Sequence, residues 1–109
     1  MSQTTKRRWE RMRTDETRKV EEVLRKHFPG TDAYRYNSAS IRVRVIDERF
    51  EGKSLPRRDS MVEKYLKELP RETQADIINL VTLAPSEAAD FSSRALDNNE
   101  FDDPSPSVL

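Results

Sequence analysis

Few residues of this 109-residue chain could carry out catalysis or bind a metal ion. His27 is the only histidine, and the absence of cysteine excludes thiolate nucleophiles, disulfides, cysteine-ligated zinc and cysteine-held iron–sulfur clusters. Asp47, Glu48, Glu51 and Asp59 do not have the spacing of a recognised calcium loop. We therefore predict no enzymatic activity, no catalytic residue, no metal site and no cofactor, and we interpret His27 as a packed residue in the last turn of a helix.

Arginine and tyrosine side chains offer a different kind of chemistry, the binding of anions and of ring systems. Residues 41–45 alternate apolar and basic side chains with the period of a β-strand, so Arg42 and Arg44 share one face. Tyr34 and Tyr36 have the same spacing in the preceding segment. We name these four residues the Arg/Tyr face, expect it to be exposed to water, and predict that it binds a partner.

The elements that position this face are predicted from capping residues and periodicity. Thr14 and Ser54 are suited to cap helices, and Pro29-Gly30 and Pro70 to end them. The patterns predict a helix over 14–28, strands over 34–36 and 41–45 with a hairpin at 37–40, helices over 54–69 and 71–75, and a strand over 77–83. Apolar residues on both faces of 77–83 are typical of a strand with neighbours around it. The fold class is therefore α+β, a three-stranded sheet with helices on one face and open strands on the other.

One stretch of this pattern resembles the BolA family. Residues 49–54 read Arg-Phe-Glu-Gly-Lys-Ser, Arg58 follows near a helix start, and the last strand ends in Ala84-Pro85-Ser86-Glu87. In that family a strand leads into an Arg-Phe-x-Gly loop, a helix begins near an Arg-His pair, and the last strand ends in Thr-Pro-Glu-Glu. The resemblance covers residues 20–87 and implies a BolA-like, class II KH-like fold. We add the loop and helix start to the predicted binding surface, with Arg49, Phe50, Gly52, Lys53, Arg57 and Arg58.

The chain departs from the BolA pattern at both family histidines. Asp59 stands where the family has a histidine after the arginine, and Asp76-Ile77 stand where it has the second one. That second histidine is the one that the family offers to an iron–sulfur cluster shared with a monothiol glutaredoxin. Neutral imidazole is a far better iron ligand than an isolated aspartate, so this role is not carried over to Asp76.

A KH-like fold also raises the possibility of nucleic-acid binding by the Arg/Tyr face, through phosphate pairing and base stacking. KH domains grip the backbone with a Gly-x-x-Gly loop, but the only glycines here are Gly30 and Gly52. Residues 31–85 hold ten Lys/Arg against nine Asp/Glu, whereas nucleic-acid-binding domains are usually clearly basic. The alternative, cross-strand pairing on a solvated face, is therefore favoured.

The two ends of the chain carry opposite charge. Residues 1–30 hold nine Lys/Arg against five Asp/Glu, and residues 86–109 hold one against six. We divide the chain into a basic arm over 1–13, which includes Trp9, a domain over 14–87 and an acidic tail over 88–109. A marginal helix is expected over 86–96 and disorder beyond it. The charge asymmetry also suggests that the tail folds back on the arm or on the Arg/Tyr face and competes with a polyanionic partner.

These observations lead to one function and one alternative. No apolar run approaches the roughly 20 residues that cross a bilayer, and no signal-peptide segment follows the basic arm, so a cytoplasmic, monomeric protein without membrane contact is expected. The predicted function is a non-enzymatic binding or adaptor domain with a protein partner. The alternative is a KH-like domain that binds single-stranded nucleic acid through the Arg/Tyr face.

Overall fold

The computed structural model describes residues 7–89 and 94–107. Its strands form one three-stranded mixed sheet. The elements in chain order are a 3-10 helix Arg8–Met12, α1 Asp15–Arg25, β1 Thr31–Asn37, β2 Ser40–Ile46, a 3-10 helix Glu48–Phe50, α2 Leu55–Leu66, α3 Arg71–Asp76, β3 Ile77–Leu83, α4 Pro85–Ala89 and α5 Ala95–Asp102. The predicted order of helix, two strands, two helices and strand is confirmed, as is the α+β class.

The strands lie in the order β1-β2-β3. β1 and β2 are antiparallel and joined by the expected tight hairpin, in which Asn37 pairs with Ser40. β3 runs parallel to β2, with Val43 beside Leu80, because α2 and α3 return the chain to the start of the sheet. The prediction that β3 has neighbours around it was wrong: it is an edge strand that pairs with β2 alone. Of its apolar residues, Val81 and Leu83 are buried and Ile78 is exposed.

The helices begin where the sequence predicts. The Thr14 hydroxyl accepts a hydrogen bond from the Thr17 amide at 3.1 Å, and the Ser54 hydroxyl accepts one from the Arg57 amide at 3.4 Å. α2 ends at Leu66, earlier than expected, because Leu69 N–H bonds to the Leu66 carbonyl in a tighter turn. Among the described residues, no helix combines the length and the apolar character needed to cross a membrane.

The main core lies between the sheet and the helices α1 and α2. Ile41, Val43 and Val45 are fully buried on this side, as the alternation predicted. They pack against apolar residues of α1, α2 and the connecting loops, which include Val20, Leu24, Phe28, Phe50, Val62 and Leu66. Strand β2 is central, so both of its edges are hydrogen-bonded to neighbouring strands.

The opposite face of the sheet is not open, which corrects the predicted water-exposed Arg/Tyr face. The 3-10 helix Arg8–Met12 and α5 cover it, and Trp9, Tyr34 and Phe101 form a second small core there. Tyr34 is fully buried and Arg44 is 6% exposed. Alternation along a strand predicts which face of the sheet a side chain lies on. It does not predict whether that face is covered, because the covering depends on apolar groups supplied by distant segments of the chain.

The acidic tail also differs from the expectation of disorder beyond residue 96. Residues 95–102 form α5, and its Phe101 is buried. An isolated apolar residue in an acidic segment gives no local signal for a helix, because its packing partners lie on the sheet and the arm. Part of the predicted marginal helix is present as α4, while residues 90–93 lie outside the described residues, as do residues 1–6 of the basic arm. The division of the chain into arm, domain and tail stays a prediction.

Candidate functional site

The four predicted residues of the Arg/Tyr face are brought together by strand pairing. Tyr34 of β1 lies directly beside Arg42 of β2. The Arg42 guanidinium donates to the Tyr34 hydroxyl at 3.2 Å and lies 3.7 Å from the centroid of the Tyr36 ring. Cross-strand neighbours at this spacing interact directly. The side chains of the Arg/Tyr face therefore contact one another and do not extend separately into solvent.

Acidic residues of α5 neutralise the two arginines of this face. Arg42 Nη1 lies 3.1 Å from Glu100 Oε2, and Arg44 Nη1 lies 2.6 Å from Asp102 Oδ1. Arg44 Nη1 also donates to Asn98 Oδ1 at 2.9 Å. The guanidinium of Arg44 is held between a carboxylate and an amide of the same helix.

The aromatic residues beneath these ion pairs come from three distant segments. The Phe101 ring lies 4.7 Å from the Tyr34 ring in an edge-on arrangement and 5.4 Å from the Trp9 ring. Such pairs add about 0.5–1.5 kcal/mol beyond the buried area. Phe101 is therefore the anchor by which the C-terminal helix is held on the sheet.

The carboxylates of Asp32 and Glu21 form ion pairs that hold the N-terminal arm next to the Arg/Tyr face. Asp32, which pairs with Arg44 in the strand register, receives its Nη2 at 2.9 Å and the Arg13 guanidinium at 3.4 Å. Arg13 also pairs with the buried Glu21 at 3.0 Å and lies 4.6 Å from the Trp9 ring. Asp32 was not among the site residues predicted from the sequence. Its position two residues before Tyr34, on the same strand face, is the signal that could have found it.

Two buried donors at this interface have no acceptor among the described residues, namely Trp9 Nε1 and Arg44 Nε. Most buried polar groups in folded proteins are hydrogen-bonded, and an unsatisfied one costs roughly 1–3 kcal/mol. Acceptors for these two donors must therefore come from outside the described residues.

Protonation at this interface favours the pairing with Arg42. Burial raises the pKa of Tyr34 despite the opposing effect of Arg42, so the phenol is neutral at physiological pH. The hydrogen bond from the Ser105 amide holds the pKa of Glu100 below its usual range; desolvation opposes it, and Arg42 adds to the lowering. Glu100 is therefore ionised whenever the helix is docked at neutral pH.

The predicted loop residues divide into exposed and buried groups. Arg49 is half exposed; it pairs with Asp47 at 2.8 Å, lies 4.4 Å from the Phe28 ring and donates to the His27 carbonyl. The pairing with Arg49 lowers the pKa of Asp47. Phe50 is fully buried in the main core, so it is not available as a surface contact. Gly52 has a φ of 74°, which turns the loop toward α2.

Arg58 is buried and holds the start of α2 to the end of β3. Its guanidinium pairs with Glu87 at 2.7 Å and donates to the carbonyl oxygens of Thr82 at 3.1 Å and Lys53 at 2.9 Å. The hydrogen bond from Arg58 to the Glu87 carboxylate lowers the pKa of Glu87. Arg57 is exposed and Lys53 is partly exposed. Within the described part of the chain, no hydrogen bond or ion pair joins this loop group to the Arg/Tyr face, and the binding role of both groups stays a prediction.

The remaining candidates for chemistry are engaged in packing or ion pairs. The His27 ring stacks on Tyr65 with 3.6 Å between centroids, so His27 is packed as predicted, but α1 ends at Arg25 and His27 lies in the turn that follows the helix. Asp76, at the second family histidine position, accepts from Arg35 at 2.9 Å. Asp59, at the first family histidine position, lines a cleft, and the adjacent Arg58 pairs with Glu87. Residues 7–89 and 94–107 contain no group of three or more His, Cys, Asp or Glu that could hold a metal ion.

Comparison with known proteins supports the architecture. No protein-family model matches the chain, and no curated protein sequence does. Among solved structures, BolA1 from Arabidopsis thaliana is similar with a TM-score of 0.50 and 20% sequence identity, over 68% of this chain and 96% of that one. Identity at this level is evidence for the fold and not for the activity. With the helix-strand-strand-helix-helix-strand order and the mixed sheet described above, the similarity shows that this chain has a BolA-like fold.

Proposed function

We propose that this chain is a non-enzymatic, protein-binding adaptor whose Arg/Tyr face binds an acidic helix with an aromatic anchor. The observation that carries the proposal is the way this face holds α5, with Phe101 in contact with the rings of both Trp9 and Tyr34 and acidic side chains on Arg42 and Arg44. The chain's own C-terminal helix is the occupant in this structure, and a helix of the same chemistry from another protein is the proposed partner.

The arrangement has the features of helix-in-groove recognition. One aromatic side chain enters an apolar site, and charged pairs on either side set the orientation of the helix. Glu100 and Asp102 flank Phe101 in sequence and meet different arginines. A partner would need an aromatic residue between two acidic residues, a short pattern that many proteins carry.

The unsatisfied donors support exchange of the occupant. A partner helix that supplies acceptors for Trp9 Nε1 and Arg44 Nε would recover part of the roughly 1–3 kcal/mol that each such group costs. The tethered helix acts at an effective concentration on the order of millimolar, so a partner at micromolar concentration must bind roughly a thousandfold more tightly to replace it. The tail therefore sets a threshold for partner binding.

The test is binding of a fluorescently labelled peptide of residues 94–107 to the full chain, followed by anisotropy. The receptor is either the wild-type chain or the triple variant Glu100→Gln/Phe101→Ala/Asp102→Asn, whose own helix is weakened. We expect the variant to bind the peptide at least about tenfold more tightly than wild type, because its face is free. A peptide with Phe101→Ala should not bind.

The exposed Leu96 provides the matched control. Leu96→Ala in the chain alters the same helix on its solvent side and should leave peptide binding at the wild-type level. Equal peptide affinity for the wild-type chain and the triple variant would contradict the proposal. Binding of short single-stranded RNA or DNA to the triple variant, weakening steeply with salt, would favour the alternative that the same arginines pair with phosphates.

A further inference from the structure

The two edges of the sheet are treated differently by the rest of the chain. On the outer side of β1, the Ala33 amide donates to Glu21 Oε2 at 2.9 Å and the Thr31 carbonyl accepts from Arg25 Nε at 2.8 Å. Side chains of α1 therefore occupy the polar backbone groups of that edge. An edge satisfied in this way does not offer a row of free groups to another strand.

Within residues 7–89 and 94–107, the outer edge of β3 is unpaired over its first half. No described segment other than β2 forms a backbone hydrogen bond with residues 78–81, whereas the Thr82 carbonyl accepts from Arg58 and Arg94. Ile78 is 71% exposed, and the pairing with β2 shifts so that Ile78 has no register partner. Because of this shift, only residues 79–81 form a regular strand edge. Three residues offer few backbone hydrogen bonds, so a peptide bound at this edge also needs side-chain contacts.

A cleft of about 180 Å³ runs along this edge, between the start of α2 and α5. Its apolar floor includes Leu80 and Phe101, and its rim carries five charged side chains, Arg42, Asp59, Arg94, Asp97 and Glu100. Four of these are already in ion pairs, Arg42 with Glu100 at 3.1 Å and Arg94 with Asp97 at 2.9 Å.

Asp59 is the exception among the five. Its carboxylate makes no hydrogen bond or ion pair with the part of the chain that the structure describes, and the charges on the rim sum to one negative charge. Burial and the neighbouring Glu63 raise its pKa, and the attraction of Arg94 offsets only part of this. A partly desolvated carboxylate that no cation of the described residues contacts directly is a site that a lysine or arginine side chain would fill.

We infer that the outer edge of β3 and this cleft bind an extended segment of another protein, which adds a short strand beside residues 79–81 and places a lysine or arginine side chain against Asp59. Ile78 contacts an apolar side chain of the same segment. This binding site lies at the edge of β3 and shares only Arg42 with the Arg/Tyr face, and its partner has the opposite charge to the acidic helix proposed above. It requires a docked α5, because Asp97, Glu100 and Phe101 form one wall of the cleft.

The experiment is a display selection of random octapeptides against the immobilised full chain, followed by anisotropy with the best peptide. We expect the selected peptides to share a lysine or arginine at one position with β-branched residues around it. Asp59→Asn should weaken the best peptide by about tenfold, the value for losing one charge-assisted contact. N-methylation of the peptide backbone on its pairing side should abolish binding, because a strand pairs through its backbone N–H groups.

Glu68→Gln is the matched control, since Glu68 lies just after the same helix, is exposed, does not line the cleft and is not among the charges that shift the pKa of Asp59. It should bind the peptide within about twofold of wild type. Asp59→Asn is expected to stay folded, because the raised pKa means that a neutral side chain is favoured at this position. Thermal unfolding of each variant checks that point.

Amide hydrogen exchange locates the bound peptide. Residues 78–81 should become protected when the peptide is added, while the outer edge of β1 should not change. The inference is overturned if no peptide is enriched over a selection against Asp59→Lys, or if the enriched peptides bind Asp59→Asn as tightly as wild type. It is also overturned if N-methylated peptides bind as well as the parent. A failed peptide exchange on the Arg/Tyr face would leave these results intact.

Discussion

The Arg44 guanidinium carbon lies 4.4 Å from the centroid of the Phe101 ring, although the two residues belong to β2 and to the C-terminal helix. Arg44 is at the same time paired with Asp32 on β1 and with Asp102 on α5. One side chain therefore links the centre of the sheet to an edge strand and to the helix that covers them. Removing Asp32 or Asp102 should therefore weaken the packing of α5 on the sheet.

Phe101→Ala should release α5 from the sheet and expose Trp9, the only tryptophan of the chain. Removing a buried phenylalanine costs about 3–5 kcal/mol in a closed core, and we expect a value at or below the low end because α5 is a terminal element. The measurement is tryptophan fluorescence, with a red-shifted emission expected in the variant before any global unfolding. Leu96 lies on the same helix and is 75% exposed, so Leu96→Ala should keep the wild-type spectrum. An unshifted emission for Phe101→Ala would contradict the proposed anchor.

The pair Arg44–Asp102 should show a measurable coupling energy. Both side chains are largely buried and their atoms are 2.6 Å apart, so a double-mutant cycle of Arg44→Met and Asp102→Asn is expected to give about 1–3 kcal/mol from urea unfolding. The exposed pair Lys19–Glu22, at 3.9 Å within α1, is the reference and should give roughly zero to 0.5 kcal/mol. Equal coupling in the two cycles would show that burial at the Arg/Tyr face adds nothing.

The Arg58–Glu87 pair should make stability sensitive to acid. Because the pKa of Glu87 is lowered in the folded state, its contribution is complete above the ordinary pKa of a glutamate and is lost as the pH falls through the lowered value. Glu87→Gln should therefore cost about 1–2 kcal/mol near neutral pH and progressively less in acid. Urea unfolding from about pH 7 to about pH 3 measures the difference, with Glu63→Gln as the exposed control. A pH-independent difference would argue against this ionisation as the cause.

The two glycines should differ in their sensitivity to alanine. A Cβ on Gly30 would lie 2.5 Å from the Ile46 carbonyl oxygen, a backbone atom in the strand pair, so Gly30→Ala must push β1 away from β2. We expect a loss of about 2–3 kcal/mol. Gly52 has open space around it but a positive φ, so Gly52→Ala should cost about 1–2 kcal/mol and Gly52→Asn less. Equal costs at the two positions would contradict the crowding argument.

Local features of the sequence determined the element order and the division of side chains between the two faces of the sheet. The caps Thr14 and Ser54, the alternation in residues 41–45 and the hairpin at Asn37–Ser40 act over a few residues, and each was found where it was predicted. Strand periodicity by itself assigns Arg42 and Arg44 to the face opposite the buried Ile41, Val43 and Val45.

The tertiary structure alone decided what covers the Arg/Tyr face and which edge of the sheet is open. The charge asymmetry of the ends suggested that the tail folds back, but the pairs Arg42–Glu100 and Arg44–Asp102 depend on the distance between groups far apart in sequence. Likewise, residues 77–83 have the composition of an inner strand yet lie at the edge, because the order of strands is set by how the helices return the chain to the sheet. Periodicity reports the environment of a residue along its own strand, whereas burial by a distant helix is a property of the whole packed chain.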